Sequence, residues 1–275
     1  MGVVNVTPDS FSDGGKWFDT DIAVKHGLEL VAAGADLVDV GGESTRPGAT
    51  RVDEAEELRR VLPVVRSLAA EGALVSVDTM RASVAEQALE AGAVLVNDVS
   101  GGLADPAMVP AVAAAGAPFV VMHWRGQSID MNNRAVYEDV TREVVAELRA
   151  GVERAVAGGI AADRIVVDPG LGFAKQAPHD LELVARLGTL RAELGRPMLV
   201  AASRKRFLGR VLAGAGDVRV PPARERDAAT AAITALAARE GAWAVRVHEV
   251  RASADAVRVA RAVEAASPAD PEARR

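Results

Sequence analysis

Short runs rich in valine and isoleucine recur eight times along the chain. They occupy residues 3–6, 36–40, 74–78, 94–98, 119–123, 165–168, 198–203 and 244–248. Most of these runs are almost continuously apolar, which is typical of parallel strands that are covered on both faces. The sequence therefore predicts eight strands of a parallel sheet with helices on its faces.

The segments between the runs have helical periodicity. Leu58, Val61, Leu62, Val65 and Leu68 follow the i, i+3, i+4, i+7 spacing of a helix with one buried face. A glycine lies a few residues before each of strands two to eight, where a left-handed residue commonly ends a helix. These glycines are Gly34, Gly72, Gly92, Gly116, Gly159, Gly195 and Gly241.

Eight strand-then-helix units in about 250 residues predict an α/β fold, namely a (β/α)₈ TIM barrel with a single domain. An open doubly wound sheet is the alternative. We expect residues 1–266 to form the barrel and residues 267–275 to be a disordered tail. Met1 directly abuts the first run, so we expect the start of the natural protein to differ.

Composition excludes several classes of partner. The 275 residues carry a net charge of −6 and have no long basic stretch, so we expect neither nucleic acid nor an acidic membrane surface to be bound. Cysteine is absent, which rules out disulfides, thiolate metal sites and a thiol nucleophile. No signal or membrane-spanning stretch is evident, so we predict a cytoplasmic protein.

Polar residues follow almost every apolar run, at the ends where a barrel of this type carries its active site. They are Asn5, residues 41–46, Asp78, Asn97, Asp98, His123, Asp168, residues 203–205, Arg246 and His248. Asp78 and Asp98 could instead cap the helices that follow them. Because several carboxylates and amides come from different strands, we favour a ring of groups that bind a flat, nitrogen-rich ligand.

The last two strands supply cations. Ser203, Arg204, Lys205, Arg246 and His248 lie where this fold often binds phosphate, although Arg204 could equally be a solvated surface charge and His248 a neutral core histidine. Asn5 could supply an oxygen ligand to Mg²⁺. The glycine- and proline-rich loops at 7–15 and 41–50 have the composition of closing lids.

Eight motifs, in order and over nearly all of the chain, carry a specific resemblance. They are NVTPDSFSDGG, DVGGESTRPGA, SVDT, NDVSG, MHWRG, DPGLGFAK, SRKRFLG and RVHEV. The chain resembles dihydropteroate synthases, the pterin-binding barrels of folate biosynthesis, and in particular their actinobacterial members. The resemblance implies condensation of 6-hydroxymethyl-7,8-dihydropterin pyrophosphate with p-aminobenzoate, which gives 7,8-dihydropteroate and pyrophosphate. It also implies Mg²⁺ as cofactor, inhibition by sulfonamides and a homodimer.

The resemblance also implies roles for individual residues. Asp78, Asn97, Met122, Asp168, Phe173 and Lys205 would bind the pterin, and Asn5, Arg246 and His248 the pyrophosphate, with Asn5 as metal ligand. Phe11, Thr45, Arg46, Pro47 and Ser203 would close over p-aminobenzoate. The catalytic set would be Asp9, which we expect to face the reacting carbon, with Asp168, Lys205, Arg246 and His248.

The implied mechanism is dissociative substitution at the pterin methylene, in which pyrophosphate leaves before the amine attacks. One departure from the family pattern is Ala201, where most relatives have glycine and where a methyl group could crowd the pterin.

Three alternative functions are a methyltransferase on the same type of barrel, a pterin-binding paralogue without turnover and a phosphosugar enzyme. The full STRPG loop and the cations of the last two strands argue against a methyltransferase, and Asp78 and Asn97 against a phosphosugar enzyme.

Overall fold

Each apolar run of the sequence contributes a strand. The computed structural model describes residues 1–7, 20–44, 51–126, 131–214 and 219–266. Its strands are β1 (Gly2–Asn5), β2 (Val38–Gly41), β3 (Val75–Asp78), β4 (Leu95–Asp98), β5 (Phe119–Met122), β6 (Ile165–Asp168), β7 (Leu199–Val200) and β8 (Ala244–Val245).

Helices alternate with these strands. They are α1 (Thr20–Ala32), α2 (Glu54–Ala70), α3 (Ala82–Glu90), α4 (Met108–Ala115), α5 (Val140–Ala157), α6 (Ala177–Ala185), α7 (Leu187–Leu194), α8 (Arg206–Ala213), α9 (Asp227–Arg239) and α10 (Val250–Ala266). Short 3₁₀ helices occupy Met131–Arg134, Ala162–Arg164 and Ala223–Arg226.

The sheet closes on itself. Strands β1 to β6 pair in parallel in sequence order, and β7 pairs in parallel with β8. Val167 of β6 bridges to Met198 before β7, and Gly2 of β1 bridges to Val247 after β8. The amide of Val3 donates to the carbonyl of Val247 at 3.1 Å. The predicted barrel is therefore confirmed, and the open doubly wound sheet is wrong because β8 closes onto β1.

Alternate residues of each strand face the barrel interior, as the two-residue period of a strand requires. Its lower interior is filled by the buried side chains of Met1, Leu95, Val120, Val166 and Leu199. The intervening residues pack outward against the helices in a second, larger apolar cluster. Polar side chains two residues further along β4 and β6, Asn97 and Asp168, consequently face the mouth of the barrel.

Local signals set the ends of the helices. Asp53 accepts a hydrogen bond from the amide of Glu56 at 2.8 Å and so caps the start of α2. Within that helix Val61, Val65 and Leu68 are fully buried, as the periodicity predicts. Gly116 and Gly195 end α4 and α7 in the left-handed conformation, and all seven predicted cap glycines have positive φ.

The last two strands are shorter than the predicted runs 198–203 and 244–248. After Val200 the chain leaves the sheet and turns, with Arg204 in the left-handed region at φ 59° and the amide of Lys205 donating to Ala202 at 3.2 Å. Polar residues 203–205 therefore lie in a turn above the barrel.

The described barrel extends to Ala266, and the predicted tail 267–275 lies outside the described residues. Where the chain is described, no helix is both long and apolar enough to span a bilayer.

Candidate functional site

The carboxyl ends of the eight parallel strands meet at one mouth of the barrel. Predicted site residues that occupy the last two positions of a strand or follow one there are Asn5, Asp78, Asn97, Met122, Asp168, Phe173, Ser203, Lys205, Arg246 and His248. Five more predicted residues, Asp9, Phe11, Thr45, Arg46 and Pro47, lie outside the described residues. Their roles stay predictions.

A buried ion-pair network spans the mouth. Arg246, after β8, places Nη2 2.6 Å from Asp78 Oδ2 on β3 and Nε 2.5 Å from Asp39 Oδ2 on β2. A guanidinium has five N–H donors, of which these two bonds use two, so the group retains capacity for an anionic ligand. The predicted pyrophosphate ligand Arg246 and the predicted pterin ligand Asp78 are thus in direct contact.

Burial and charge shift the proton affinities within this network. Burial raises the pKa of Asp78 to about 7, although Arg246 opposes the shift. Burial by itself would lower the pKa of Arg246, but the carboxylates of Asp39 and Asp78 have the larger effect and raise it. The network therefore keeps a cation in a low-dielectric site, where it acts more strongly on a bound anion than it would in water.

Asp39 is a functional candidate that the sequence reasoning missed. Its Oδ2 also accepts a hydrogen bond from Asn97 Nδ2 at 2.9 Å, and its side chain is fully buried. This bond directs the amide nitrogen of Asn97 toward Asp39 and leaves Oδ1 of Asn97 as an acceptor for a ligand. An aspartate between two valines in a strand carries the same signal as Asp78, so the pattern in 36–40 could have revealed it.

A second group lies across the mouth on β6 and after β7. Asp168 Oδ1 accepts a hydrogen bond from the amide of Gly170 at 2.7 Å. Burial raises the pKa of Asp168, and the nearby Lys205 opposes that rise. Burial lowers the pKa of Lys205 to about 8, and its ammonium lies 4.9 Å from the centre of the Phe173 ring. The predicted pterin ligands Asp168, Phe173 and Lys205 are thus brought together.

An apolar wall adjoins this group. Met122 packs with Met80 and Val99 in a small buried cluster, against which Phe173 and Trp124 also lie. The predicted pterin contacts Met122 and Phe173 therefore share one surface. Met80 and Val99 were not predicted, because an apolar residue just beyond a strand carries no functional signal in the sequence.

The loops after β7 and β8 are joined through Ser203. Its Oγ lies 3.0 Å from His248 Nδ1 and accepts a hydrogen bond from the amide of His248 at 3.1 Å. This contact brings a predicted p-aminobenzoate ligand next to a predicted pyrophosphate ligand. Arg204 forms a two-point ion pair with Asp227 of α9, at 2.6 and 2.7 Å, so its charge is paired within the protein at a half-buried position.

Asp78 and Asp98 bind different partners. Asp98 accepts bonds from the amide and hydroxyl of Ser100 and from the amide of Gly102, all within 2.8 Å. Asp98 therefore closes the turn that follows β4, but it does not cap a helix, because α4 begins at Met108 and has no side-chain cap. The capping interpretation is wrong for both aspartates, since the carboxylate of Asp78 contacts Arg246.

A charged cluster that the sequence reasoning also missed lies at the base of the glycine- and proline-rich loop at 41–50. Arg81 bonds to both Glu43 and Glu57, the latter buried in α2, and Thr79 Oγ1 donates to Glu57 at 2.6 Å. Arg51 Nε donates to Glu43 at 2.9 Å. Since Glu43 and Arg51 flank residues 45–50, the cluster fixes both sides of the loop.

The donor chemistry at Asn5 fits Mg²⁺ bound mainly through a substrate. Asn5 ends β1, the strand whose first residues pair with the segment that leads from β8 to His248, and its side chain offers one hard oxygen. Within the described ranges, no three histidine, aspartate or glutamate side chains form a group that could hold a metal ion. Mg²⁺ commonly takes only one or two protein ligands when phosphate oxygens supply others.

Comparisons with known proteins agree with this geometry. The family model described as pterin binding enzyme matches residues 1–248. The dihydropteroate synthase of Mycobacterium leprae is 59% identical over 261 residues, covering 94% of this chain and 91% of that protein.

Two solved structures extend the likeness. A Xanthomonas albilineans dihydropteroate synthase with 4-aminobenzoic acid has a TM-score of 0.88 and 43% identity, covering 97% of this chain and 93% of the other. A Yersinia pestis dihydropteroate synthase in a sulfonamide drug complex has a TM-score of 0.89 and 39% identity, covering 96% and 94%. With the barrel, the polar ring at its mouth and a family match over most of its length, the chain belongs to the pterin binding enzyme family.

Proposed function

We propose that this protein is a dihydropteroate synthase, which joins 6-hydroxymethyl-7,8-dihydropterin pyrophosphate to p-aminobenzoate and releases pyrophosphate. The observation that carries the proposal is the set of acceptors and donors at the barrel mouth formed by the buried Asp78, Asn97 and Asp168 with the half-buried Lys205. This set suits a flat ring with several nitrogens, and the relatives named above bear the same activity in their names.

The pterin half of the substrate would lie between two arcs of side chains. The carboxylates of Asp78 and Asp168 and the free Oδ1 of Asn97 accept hydrogen bonds from ring and amino nitrogens. Lys205 donates to the ring, while Met122 and Phe173 cover its apolar faces. Groups held this firmly bind with little loss of conformational freedom.

The pyrophosphate half would lie on Arg246 and His248. Charge develops on the leaving oxygen as the bond from the methylene carbon to oxygen breaks, and the electron pair leaves with pyrophosphate. The buried guanidinium of Arg246 stabilises that charge in a low-dielectric environment. We further propose that Mg²⁺ is held by Asn5 and substrate phosphates, where it would neutralise leaving-group charge.

The amine of p-aminobenzoate then attacks the pterin cation and forms the new carbon–nitrogen bond, and the nitrogen releases a proton to the departing pyrophosphate. The buried carboxylate of Asp168 stabilises the cation before attack. Ser203 lies beside His248, at the border between the two half-sites. The p-aminobenzoate half-site would be completed by Phe11, Thr45, Arg46 and Pro47, with Asp9 facing the reacting carbon. We expect sulfonamides to compete with p-aminobenzoate for this half-site.

We also propose that the protein acts in the cytoplasm as a homodimer. Exposed apolar side chains on α9 and α10, including Leu236 and Val259, support a protein interface at these two adjoining helices. Such residues on neighbouring helices form the kind of surface that a second subunit covers.

The deciding experiment measures pyrophosphate release by the purified protein with the dihydropterin pyrophosphate and Mg²⁺, with and without p-aminobenzoate. We expect release that depends on p-aminobenzoate and is abolished in Lys205→Ala. Lys25→Ala is the matched control, because Lys25 is an exposed lysine on α1. Saturable pterin binding without turnover would instead indicate the non-catalytic paralogue, and Ala201→Gly would then test whether the buried methyl group crowds the ring.

A further inference from the structure

Lys175 is a buried lysine that no part of the proposed reaction uses. Its Nζ lies 2.9 Å from His123 Nδ1 and 3.0 Å from the carbonyl oxygens of both Gly170 and Phe173. An ammonium has three N–H donors, and these three acceptors use all of them. Lys175 therefore makes its contacts within the protein and holds the loop between β6 and α6 from within.

His123 connects this lysine to helix α5. Burial by itself would raise the pKa of Glu147, but its bonds to His123 and Arg125 lower that pKa to about 2, so its carboxylate can only accept. The ring proton of His123 therefore lies on Nε2, 3.0 Å from Glu147 Oε2, and Nδ1 accepts from Lys175. Glu147 in turn accepts from Arg125 Nε at 3.1 Å. The chain Lys175–His123–Glu147 thus joins the loop after β6 to the end of β5 and to the outer helix layer.

The loop held in this way has an unusual backbone. Gly170 has φ 65°, and a Cβ there would lie 2.4 Å from the carbonyl oxygen of His123. Ala174 has φ 48°, a left-handed conformation that non-glycine residues rarely adopt. Tyr137 Oη donates to the carbonyl of Ala174 at 3.0 Å. Such a backbone persists only where its surroundings fix it.

The same loop carries groups of the pterin half-site. Phe173 lies within it, and Asp168 stands at its start and bonds to the amide of Gly170. Lys205 donates to the carbonyl of Leu171 from the mouth side. The loop is therefore held between two lysines, one that faces the proposed ligand and one, Lys175, that lies behind it.

We propose that Lys175, His123 and Glu147 form a positioning unit that fixes the 170–174 loop, so that Asp168 and Phe173 meet the pterin ring. Lys175 is a positioning residue, since it acts through the loop and not on the substrate. The inference rests on the proposed function. It assigns the unit to the pterin half-site only, because Arg246 and His248 come from β8 on another side of the mouth.

The test compares binding of two ligands by Lys175→Met, a variant of similar length without donors. Calorimetric titration uses 6-hydroxymethylpterin for the ring half-site and inorganic pyrophosphate with Mg²⁺ for the other half. We expect pterin affinity to fall about tenfold or more, as expected for the loss of buried hydrogen bonds. Pyrophosphate affinity should stay within about twofold of the wild type. Equal loss of both ligands, or unchanged pterin affinity, would overturn the proposal.

A second pair of variants covers the case in which Lys175→Met does not fold. His123→Asn retains an acceptor for Lys175, whereas His123→Leu removes it. We expect the leucine variant to bind 6-hydroxymethylpterin about tenfold more weakly than the asparagine variant. Equal affinities would contradict a positioning role. If the wild type itself bound neither ligand, the proposed function and not the positioning unit would have failed.

Discussion

Arg246 and Asp78 form an ion pair across the mouth of the barrel, with Nη2 2.6 Å from Oδ2, although 168 positions separate them in the chain. The pair joins strand β8 to strand β3, and Asp39 on β2 shares the same guanidinium. One side chain therefore links the proposed pyrophosphate half-site to the proposed pterin half-site. It also supplies the cation that these two buried carboxylates share.

Replacement of Arg246 by methionine should destabilise the fold as well as abolish turnover. The change leaves Asp39 and Asp78 buried without their cation, which typically costs about 3–5 kcal/mol. Urea unfolding at pH 7 measures the free energy of unfolding. As control, Arg258→Met removes an exposed ion pair on α10 and should change that free energy by less than about 0.5 kcal/mol. Equal stabilities for the two variants would contradict the network's contribution.

Replacement of Asp39 by asparagine should weaken pterin binding. An amide oxygen in place of Oδ2 can still accept from Asn97 and Arg246, but it carries no charge to pair with Arg246. Its NH2 group would replace Oδ1, a buried atom for which the described residues offer no partner, so the network that orients Asn97 is weakened. We expect about a tenfold rise in the dissociation constant of 6-hydroxymethylpterin, measured by titration calorimetry.

The matched control for Asp39 is Asp36→Asn, because Asp36 is an exposed aspartate just before β2. Its affinity for the pterin should equal that of the wild type. If Asp39→Asn also bound the pterin normally, Asp39 would have no part in shaping the site.

Replacement of Arg81 by methionine should act on the p-aminobenzoate half-site. Arg81 bonds to Glu43, which lies near the start of the 41–50 loop that we propose closes over this substrate. We expect the KM for p-aminobenzoate to rise about tenfold, whereas the KM for the pterin substrate changes less than about twofold. Arg66→Met, at an exposed position of α2, serves as control. A rise confined to the pterin KM would refute this assignment.

Acidification should destabilise the protein through His123. Burial, with Lys175 adding to the effect, lowers the pKa of His123 to about 4, although Glu147 opposes the shift and Arg125 contributes further to it. Between pH 4 and 6.5 the unfolded chain binds a proton here that the native state does not. The free energy of unfolding is therefore unaffected by His123 above pH 6.5, and it decreases as the pH falls from 6.5 toward 4.

The comparison that isolates this effect uses His123→Asn, which cannot titrate. Burial raises the pKa of Asp98 to about 6, which acts in the opposite direction, but this contribution is common to both proteins. The difference in unfolding free energy between wild type and variant should change by about 3 kcal/mol between pH 6.5 and pH 4. Parallel stability curves would show that His123 does not titrate differently on folding.

The sequence by itself determined the architecture. Eight continuous apolar runs separated by amphipathic helices can bury their surfaces only as a parallel sheet covered by helices, and the glycines before the strands place the helix ends. The same reasoning placed Asp78, Asn97 and Asp168 at one mouth, because parallel strands carry their carboxyl ends together. Local pattern and the period of the strand contain this information.

Only the tertiary structure decided which polar groups contact one another. Asp98 closes its own turn whereas Asp78 pairs with Arg246, although both aspartates end similar valine-rich strands. Asp39 joins Asn97 to Arg246, and Lys175 reaches His123 across 52 positions. Side-chain pairing depends on which strands closure of the barrel brings together and on where each side chain finds a partner when water is excluded. Those distances do not exist until the barrel has closed.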